Sequence, residues 1–380
     1  MSKPRLTHRQ PFKGFYVVYL AVSYTLVRLP LWCIKYSPKK NRPRSSWTLK
    51  RYITVATYRE LNLSTSHPFP TSDKELKNAK FLFIDGIGSA SDAFCGEVQR
   101  AAQITGVTPD SGPGTDIPPT LAQPGERVAL HIHGGAFFLG SAHPDAPTSQ
   151  LSHGILDHSS TLLRIMVVDY RLATASPNPP GNHFPAALLD SIAAYQYLTK
   201  DVGFLPQNIT LVGDSAGGNI AFALVRHILE NPGAGLPLPG RLLSCSSFLD
   251  VSLSRQEPGS SIYRNHGNDI LGVDDRYMHD AYLGPLGIEE AKRNPYISPV
   301  SPHIKNHEGL FKGFPRTFIS AGEAESILDD SVIVAERLKA DGVDVVCDIV
   351  LDATHDFAMF PWHEPERTPA LKRMCAWLDD

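Results

Sequence analysis

Residues 211–219, LVGDSAGGN, connect an apolar segment to an amphipathic one and hold a serine between small residues. The stretch NITLVGD (208–214) predicts a buried strand, and AGGNIAFALVRHILE (216–230) predicts a helix with its apolar residues at helical spacing. The pattern G-x-S-x-G at 213–217 is typical of a sharp strand-to-helix turn, where a strained serine needs small neighbours on both sides. It predicts Ser215 as a nucleophile held above a sheet, with an ordinary glycine-rich turn as the alternative.

Strands and helices alternate along most of the chain. Apolar runs of strand type occur at 127–133, 162–172, 208–214, 316–322 and 344–355. Segments with helical periodicity occur at 46–66, 184–200, 216–230, 329–341 and 367–378. Strands that alternate with helices pair in parallel and are covered on both faces. The sequence therefore predicts an α/β fold with a mostly parallel central sheet and helices on both sides.

Two regions depart from this alternation. Residues 81–126 predict short strands broken by a loop rich in Gly and Pro, and residues 250–300 predict an inserted helical cap. We therefore divide the chain into an N-terminal extension with cap helices at 1–70 and a domain at 71–380 that carries the cap insertion.

A base for Ser215 is the next requirement, because a serine hydroxyl becomes a good nucleophile only when a neighbouring group takes its proton. His355, in DATHDF, follows the last apolar strand, where a loop can bring it over the serine. His227 lies on the helix that leaves the serine turn, about three turns from Ser215. The remaining downstream histidines fall in, beside or beyond the cap: His266, His279, His303, His307 and His363. The sequence therefore predicts His355 as the base.

Five motifs together resemble one known family. They are HGGA at 133–136, DYRLA at 169–173, FPAALLD at 184–190, GDSAGG at 213–218 and NPYISP at 294–299. In combination they are similar to the hormone-sensitive-lipase-like α/β-hydrolases over residues 125–378. The hydrophobic and basic N-terminal extension is similar to that of fungal and yeast members such as the steryl acetyl hydrolases. The resemblance implies an α/β-hydrolase fold, serine esterase activity and the order Ser, acid, His along the chain.

The catalytic acid is where the sequence departs from that family. Members typically read A-G-x-x-D-P-L-x-D-E after the strand that carries the acid, whereas residues 321–330 read AGEAESILDD. Position by position, the resemblance assigns the acid to Glu325, and a glutamate can also hold the imidazole in one tautomer. Asp329 and Asp330 remain as alternatives, although they begin a predicted helix, where an acid normally serves as a cap.

The stretch HIHGGAFFLG (131–140) allows two interpretations. His131 and His133 lie two apart on a strand and could share a metal ion, but no third ligand accompanies them in the sequence pattern. The resemblance instead implies that His133 orients a glycine loop whose N–H groups stabilise a tetrahedral oxyanion. It assigns this oxyanion hole to Gly134, Gly135, Ala136 and Ala216.

The N-terminal extension combines apolar and basic residues. The run FYVVYLAVSYTLVRLPLWCI (15–34) is strongly apolar but contains Arg28 and Pro30, and its uninterrupted part is shorter than the ~20 residues of a spanning helix. Basic residues flank it on both sides: Lys3, Arg5, Arg9, Lys13, Lys35, Lys39, Lys40, Arg42 and Arg44. Three interpretations stay open: a helix in a membrane interface, a single span that tolerates Arg28, and a helix that covers a pocket. The first two bring residues 13–44 to a membrane surface.

Composition narrows the possible classes of protein further. The chain has 380 residues, of which 42% are hydrophobic and 20% charged, a balance typical of a globular protein with a sizeable core. A net charge of −3 argues against general nucleic-acid binding, which needs a basic face. The five cysteines are widely spaced and lack a C-x-x-C pair, which predicts reduced thiols in an intracellular protein.

These residues predict a serine carboxylic-ester hydrolase that works through an acyl-enzyme without a cofactor. Aromatic residues in the extension and cap either favour a hydrophobic small-molecule ester or simply pack: Phe15, Tyr16, Tyr19, Trp32, Trp47, Tyr263, Tyr277 and Tyr282. Acyl transfer, or cleavage of a lactone or amide, stays open with the same residues. A small-molecule receptor on this fold is a further alternative. The retained His355 argues against it, because plant hormone receptors of the family have lost that histidine.

Overall fold

The central sheet organises the molecule. The structure, a computed structural model, describes residues 12–64, 84–109, 120–272 and 276–380. Within those residues the strands are β1 Arg127–Ile132, β2 Leu162–Val168, β3 Ile209–Asp214, β4 Arg241–Cys245, β5 Arg316–Gly322 and β6 Val345–Val350. They form one six-stranded sheet in the order β2-β1-β3-β4-β5-β6, and every neighbouring pair is parallel. The predicted α/β fold with a mostly parallel sheet is confirmed.

Helices connect the strands and cover the sheet. In the described part of the chain they are α1 Phe12–Ser23, α2 Leu29–Tyr36, α3 Leu49–Ser64, α4 Gly96–Thr105, α5 Gln150–His158, α6 Ala186–Gln196, α7 Ser215–Glu230, α8 Ser261–Arg264, α9 Arg276–Tyr282, α10 Gly287–Arg293, α11 Leu328–Ala340 and α12 Arg367–Asp379. Alternate residues of β1 point to opposite faces. Leu130 joins the core formed with α4, α6, α7 and α11, whereas Ala129 joins the core formed with α5 and α12. Both faces of the sheet are therefore buried, as expected for parallel strands.

The parallel arrangement also places the candidate functional residues. β1, β3 and β5 end at Ile132, Asp214 and Gly322, and the segments that follow each of them emerge at the same edge of the sheet. In open α/β sheets, ligands bind outside the carboxyl ends of the strands. The HGGA loop, Ser215 and Glu325 all follow such strand ends.

Two features differ from the sequence prediction. The expectation of short strands over 81–126 is wrong for the described residues of that range, none of which forms a strand. Residues 96–105 form α4 instead, because Val98, Ala101 and Ala102 recur at helical spacing and are buried together. Residues 110–119 of that loop lie outside the described residues. β4 and α5 were not predicted, since a five-residue strand and a nine-residue helix give a weak periodic signal.

The predicted cap segment, 250–300, contains the short helices α8, α9 and α10 in its described residues. Tyr282 at the end of α9 stacks on Phe137, which directly follows the HGGA motif in the same loop, with ring centroids 3.5 Å apart. The segment is therefore packed directly on that loop.

The N-terminal segment forms a continuous helix followed by α3. A five-residue π-helical turn, Tyr24–Arg28, joins α1 to α2, so that neither Arg28 nor Pro30 ends the helix. Gly14–Tyr36 is the one stretch among the described residues long and apolar enough to cross a membrane, and none of its apolar window is buried. The predicted boundary at residues 70 and 71 lies outside the described residues, as do Lys3, Arg5 and Arg9.

Helix α3 packs against the rest of the fold. Val55 and Ala56 form a small core with Trp47, which precedes the helix, and with Ala324 and Phe360. Ala324 precedes Glu325, and Phe360 follows His355 by five positions in the chain. The N-terminal segment therefore rests on the two loops that carry the predicted acid and base.

Candidate active site

Ser215 lies at a sharp turn between β3 and α7. Its φ of 49° is in the left-handed region, which side-chain-bearing residues rarely adopt. Its glycine neighbours are required by close backbone packing: a Cβ at Gly213 would lie 2.6 Å from the carbonyl oxygen of Gly217, and a Cβ at Gly217 would collide with the carbonyl oxygen of Ile132. The G-x-S-x-G pattern thus has a physical cause, and the strained turn holds the hydroxyl at the first turn of α7.

His355 meets the serine through its Nε2 atom, which lies 2.9 Å from Ser215 Oγ. The histidine sits in the loop after β6 and is 3% exposed. Three of the other downstream histidines, His227, His279 and His363, contact different groups. For example, His227 Nε2 contacts the carbonyl of Ala93, and His363 Nε2 contacts Thr354. The structure therefore brings His355 to Ser215.

Glu325 approaches the opposite ring nitrogen. Its Oε2 lies 3.4 Å from His355 Nδ1, and its Oε1 accepts hydrogen bonds from Ser246 Oγ at 2.6 Å and from the N–H of Gly322. The side chain is fully buried, so these donors and the imidazole are what stabilise its charge. Ser, His and Glu thus form a continuous line of contacts.

The alternative acids are occupied elsewhere. Asp329 accepts the N–H of Ser261 at 2.7 Å, and Asp330 accepts the N–H groups of Leu249 and Asp250, both at 2.8 Å. Both act on the backbone of neighbouring segments rather than on the imidazole of His355.

The electrostatics of the pair favour a charged imidazole. Burial raises the pKa of Glu325, while the hydrogen bond and charge of His355 oppose that shift. Burial alone lowers the pKa of His355, but the carboxylates of Asp356 and Glu325 outweigh it and raise that pKa well above its usual value. A proton taken from Ser215 would therefore be well stabilised on this ring.

The HGGA loop is tied to the serine turn through Asp214. Asp214 Oδ2 accepts the N–H of Gly134 at 2.9 Å, and Oδ1 lies 2.7 Å from His131 Nε2. The other ring nitrogen of His131 contacts Ser152 Oγ at 2.7 Å. These contacts engage both ring nitrogens of His131, so the structure gives it a structural hydrogen-bond role rather than a metal-binding one.

This network corrects one predicted oxyanion residue. The N–H of Gly134 is committed to Asp214 and cannot also face an oxyanion. Among the described residues, the N–H groups of Gly135 and Ala136 have no hydrogen-bond acceptor. The φ values of these two residues, 115° and 52°, turn the loop sharply. The N–H of Ala216 belongs to the first turn of α7, where backbone donors lack helical partners. His133 supports the loop by donating from Nδ1 to the carbonyl of Gly134 at 2.7 Å.

Two buried acids near the site were not predicted. Asp269, in the 250–300 segment, accepts the N–H of His355 at 2.9 Å and the N–H of Ser326 at 2.7 Å. Asp356 follows His355 directly, and its Oδ2 lies 3.2 Å from His355 Nε2. The adjacency of Asp356 to the histidine is visible in DATHDF, whereas nothing in the sequence around Asp269 indicates its role.

Comparisons with known proteins agree with this geometry. A family model described as the alpha/beta hydrolase fold matches residues 129–359. An esterase of Acinetobacter venetianus is 29% identical over 249 residues, which cover 64% of this chain and 72% of that protein. An acetyl-hydrolase of Streptomyces hygroscopicus is 28% identical over 241 residues, or 63% of this chain and 70% of its own length. The crystal structure of a hormone-sensitive-lipase homologue from a metagenome library is 34% identical, with a TM-score of 0.54. The match covers 68% of this chain and 79% of that one.

Proposed function

Because the chain belongs to the α/β-hydrolase family and is a serine hydrolase that acts on ester bonds, we propose that Ser215, His355 and Glu325 are its catalytic triad and that the reaction passes through an acyl-enzyme. The 2.9 Å contact between His355 Nε2 and Ser215 Oγ carries this proposal, since a general base must lie within hydrogen-bond reach of the proton it removes.

In the proposed first half-reaction, Ser215 Oγ attacks the ester carbonyl carbon while its proton passes to His355 Nε2. The carbonyl electron pair moves to oxygen, and the N–H groups of Gly135, Ala136 and Ala216 stabilise the oxyanion. Collapse of this intermediate breaks the ester C–O bond, and His355 returns the proton to the leaving alcohol.

The second half-reaction repeats these steps with water. His355 takes a proton from water, the hydroxide attacks the acyl carbon, and Ser215 leaves with the proton that His355 returns. Glu325 holds the Nδ1 side of the ring throughout, which keeps Nε2 directed at the serine. No step of this sequence requires a cofactor.

Aromatic side chains around the HGGA loop support a hydrophobic ester as substrate. Phe137 continues from the loop and lies near Phe248, with ring centroids 6.5 Å apart. The N–H of Phe248 donates to the carbonyl of Ser215 at 3.0 Å, so the backbone of Phe248 lies beside that of the nucleophile. A relative carries the name acetyl-hydrolase, which supports a short acyl group here.

The decisive experiment compares the parent protein with Ser215→Ala on p-nitrophenyl esters from acetyl to decanoyl. We expect turnover by the parent with a preference for short acyl chains, and loss of nearly all turnover in Ser215→Ala. A brief reaction quenched in acid should leave an acyl adduct on the peptide that contains Ser215, detectable by mass spectrometry. Unchanged turnover in Ser215→Ala would disprove the proposal.

A second pair of variants tests the acid. Glu325→Gln should lower kcat by roughly 10³–10⁴, because the neutral amide no longer stabilises the imidazolium or fixes its tautomer. Asp329→Asn is the matched control, since Asp329 contacts Ser261 and not the imidazole. Full activity in Glu325→Gln with loss in Asp329→Asn would move the acid to Asp329.

The N-terminal helix supports a further proposal, contact with a lipid membrane. Along α1, large apolar side chains such as Phe15 and Val18 are exposed. From Tyr24 onward the helix rests on α3, through the 2.6 Å contact of Tyr24 with Thr57 and an ion pair between Arg28 and Glu60. The 12 residues of α1 precede these contacts in the chain. At 1.5 Å per residue they extend about 18 Å, less than the ~30 Å hydrocarbon core of a bilayer.

We therefore propose that α1 lies in the membrane interface, and that Lys35, Lys39 and Lys40, which are exposed beyond it, contact anionic headgroups. The full-length protein should sediment with vesicles of phosphatidylcholine and phosphatidylserine, and Val18→Glu should weaken that binding without loss of esterase activity. Extraction by alkaline carbonate is expected for an interfacial helix. Resistance to carbonate would instead indicate a span, and absence from vesicles would refute membrane contact.

A further inference from the structure

Asp356 occupies an unusual backbone position beside the proposed base. Its φ of 51° is left-handed, a conformation in which Asp, Asn and Gly are the residues most often found. Its N–H donates to Ser246 Oγ at 3.1 Å, and Ser246 Oγ in turn donates to Glu325 at 2.6 Å. The backbone of Asp356 is thus tied to the same serine that supports the proposed acid.

The side chain of Asp356 turns back toward the histidine. Its Oδ2 lies 3.2 Å from His355 Nε2, the same atom that contacts Ser215 Oγ at 2.9 Å. Glu325 contacts the other ring nitrogen, so the imidazole has a carboxylate on each side. Asp356 is 7% exposed, and its Oδ1 has no hydrogen-bond partner among the described residues. A buried carboxylate held this way needs a nearby cation to offset its lost hydration.

The described elements around this corner contribute three further acids and two basic side chains besides His355. These two contact other groups: His131 bonds Asp214, and Arg367 donates to the carbonyl of Ala358. Glu325 comes from the loop after β5, Asp269 comes from the 250–300 segment and accepts the His355 N–H, and Asp214 ends β3. Cys245 ends β4, and burial raises the pKa of its thiol well above the usual value, so it stays neutral. Of the basic groups at this corner, His355 is the one in contact with Asp356, so the charge that the imidazole acquires offsets this carboxylate.

From this geometry we infer that Asp356 is a further catalytic residue of the proposed triad. Its carboxylate stabilises the positive charge on His355 while that ring holds the proton of Ser215. The inference rests on the proposed function. Asp356 takes no proton in the reaction: the serine O–H bond breaks, an N–H bond forms on His355, and that proton later passes to the alcohol. The carboxylate contributes only its negative charge, next to the nitrogen where the proton resides.

The pKa values agree with this role. Burial lowers the pKa of His355, and the charge of Asp356 is the largest of the effects that raise it to a value well above the ordinary one. Burial raises the pKa of Asp356 to about 7, and the nearby imidazole opposes that rise. The base is active only when its ring is neutral. The rise of activity with pH, which is the acid limb of the pH profile, should therefore lie at higher pH than for an isolated histidine. Removal of the Asp356 carboxylate should move this acid limb to lower pH.

The experiment is a pH profile of kcat/KM with p-nitrophenyl acetate for the parent, Asp356→Asn and Asp356→Gly. Both replacements accept a left-handed backbone, and they remove the charge in different ways. We expect the acid limb of both variants to move down by about one pH unit or more, as for loss of an opposite charge within ~4–6 Å. The plateau above the limb should fall roughly tenfold, the factor that corresponds to one pKa unit of lost imidazolium stabilisation.

A matched control is Asp330→Asn, which removes a similarly buried carboxylate that bonds Leu249 and Asp250 instead of the imidazole. Its limb should stay where the parent has it. The inference is overturned if the limb of both Asp356 variants stays in place, or if the parent's own limb lies at or below the ordinary histidine range. The acid limb of the parent is measured on the unchanged protein, so this second outcome can be observed even if neither variant folds.

A direct titration separates this inference from the proposed function. In Ser215→Ala, which cannot turn over, the imidazole signal of His355 can be followed by NMR and identified by its loss in His355→Ala. Adding Asp356→Asn should lower the pH at which that signal titrates. Failure of the triad proposal would appear as activity in Ser215→Ala, whereas failure of this inference would appear as an unmoved His355 titration.

Discussion

The HGGA loop and the histidine loop are each fixed by one buried aspartate, and the two aspartates come from different parts of the fold. Asp214 ends β3, next to Ser215, and binds the N–H of Gly134. Asp269 lies in the 250–300 segment, between β4 and β5, and binds the N–H groups of His355 and Ser326. The hydrogen bonds that hold the half that stabilises charge on the substrate come from the sheet and its helices, whereas those that hold the half that moves protons include bonds to one residue of the 250–300 segment.

This difference has a functional consequence. A change in the 250–300 segment that altered substrate preference would also shift the acid and base loops, because Asp269 bonds to both of them. The oxyanion half meets the 250–300 segment through ring contacts such as the stacking of Tyr282 on Phe137. Its hydrogen-bond network, Asp214, His131 and Ser152, belongs to β3, β1 and α5. Substitutions at five residues test how far the two halves differ.

The largest effect is expected from Asp214→Ala. It leaves the N–H of Gly134 and the ring of His131 without their acceptor, at roughly 1–3 kcal/mol each in unfolding free energy. Misplacement of the loop should lower kcat by roughly 10²–10³, the cost of losing one oxyanion donor. Asp214→Asn keeps an acceptor for Gly134 and should recover part of that loss. Steady-state kinetics and urea unfolding measure both, and a kcat within tenfold of the parent would show that Asp214 does not position the loop.

Asp269→Ala should rank second. Three backbone N–H groups lose their acceptor, those of His355, Ser326 and Ile270, and both loops gain freedom. Because displacement of a catalytic group by about 1 Å can cost on the order of 10²-fold, we expect kcat to fall by roughly 10–100-fold with little change in KM. Asp269→Asn is the conservative comparison. Equal losses in Asp269→Ala and Asp214→Ala would show that the 250–300 segment is as integral to catalysis as the sheet.

The same contrast explains what the sequence could predict. Ser215 and His355 follow strand ends with strong local patterns, so their meeting was predictable from chain order alone. Gly134 was assigned to the oxyanion hole because the pattern marks a glycine loop but not which N–H the loop uses internally. Asp269 was out of reach, because its bonds are made to backbone groups 57 and 86 residues away and leave no periodic signal.

Trp47→Ala tests the outer support of the histidine half. Trp47 is 1% exposed and donates from Nε1 to the carbonyl of Asp352 at 3.1 Å, just before the histidine loop. Truncation of a buried aromatic side chain typically costs about 3–5 kcal/mol in unfolding free energy. We expect a large fall in the urea midpoint but a smaller fall in kcat than for Asp269→Ala, because Asp269 still holds His355. A loss of kcat equal to that of Asp269→Ala would place control of the base in the N-terminal segment.

The smallest effect is expected from Ser152→Ala, at the outer end of the oxyanion network. The hydroxyl of Ser152 bonds the Nδ1 side of His131, so Ser152→Ala removes one buried hydrogen bond, worth about 1 kcal/mol. Asp214 still holds both the ring and the Gly134 N–H, and kcat should therefore stay close to that of the parent. Ser246→Ala is the equivalent change in the other half, but there the hydroxyl bonds Glu325 itself and the N–H of Asp356. A larger loss of kcat in Ser246→Ala than in Ser152→Ala would confirm that the proton-moving half has the less redundant support, and equal losses would contradict that asymmetry.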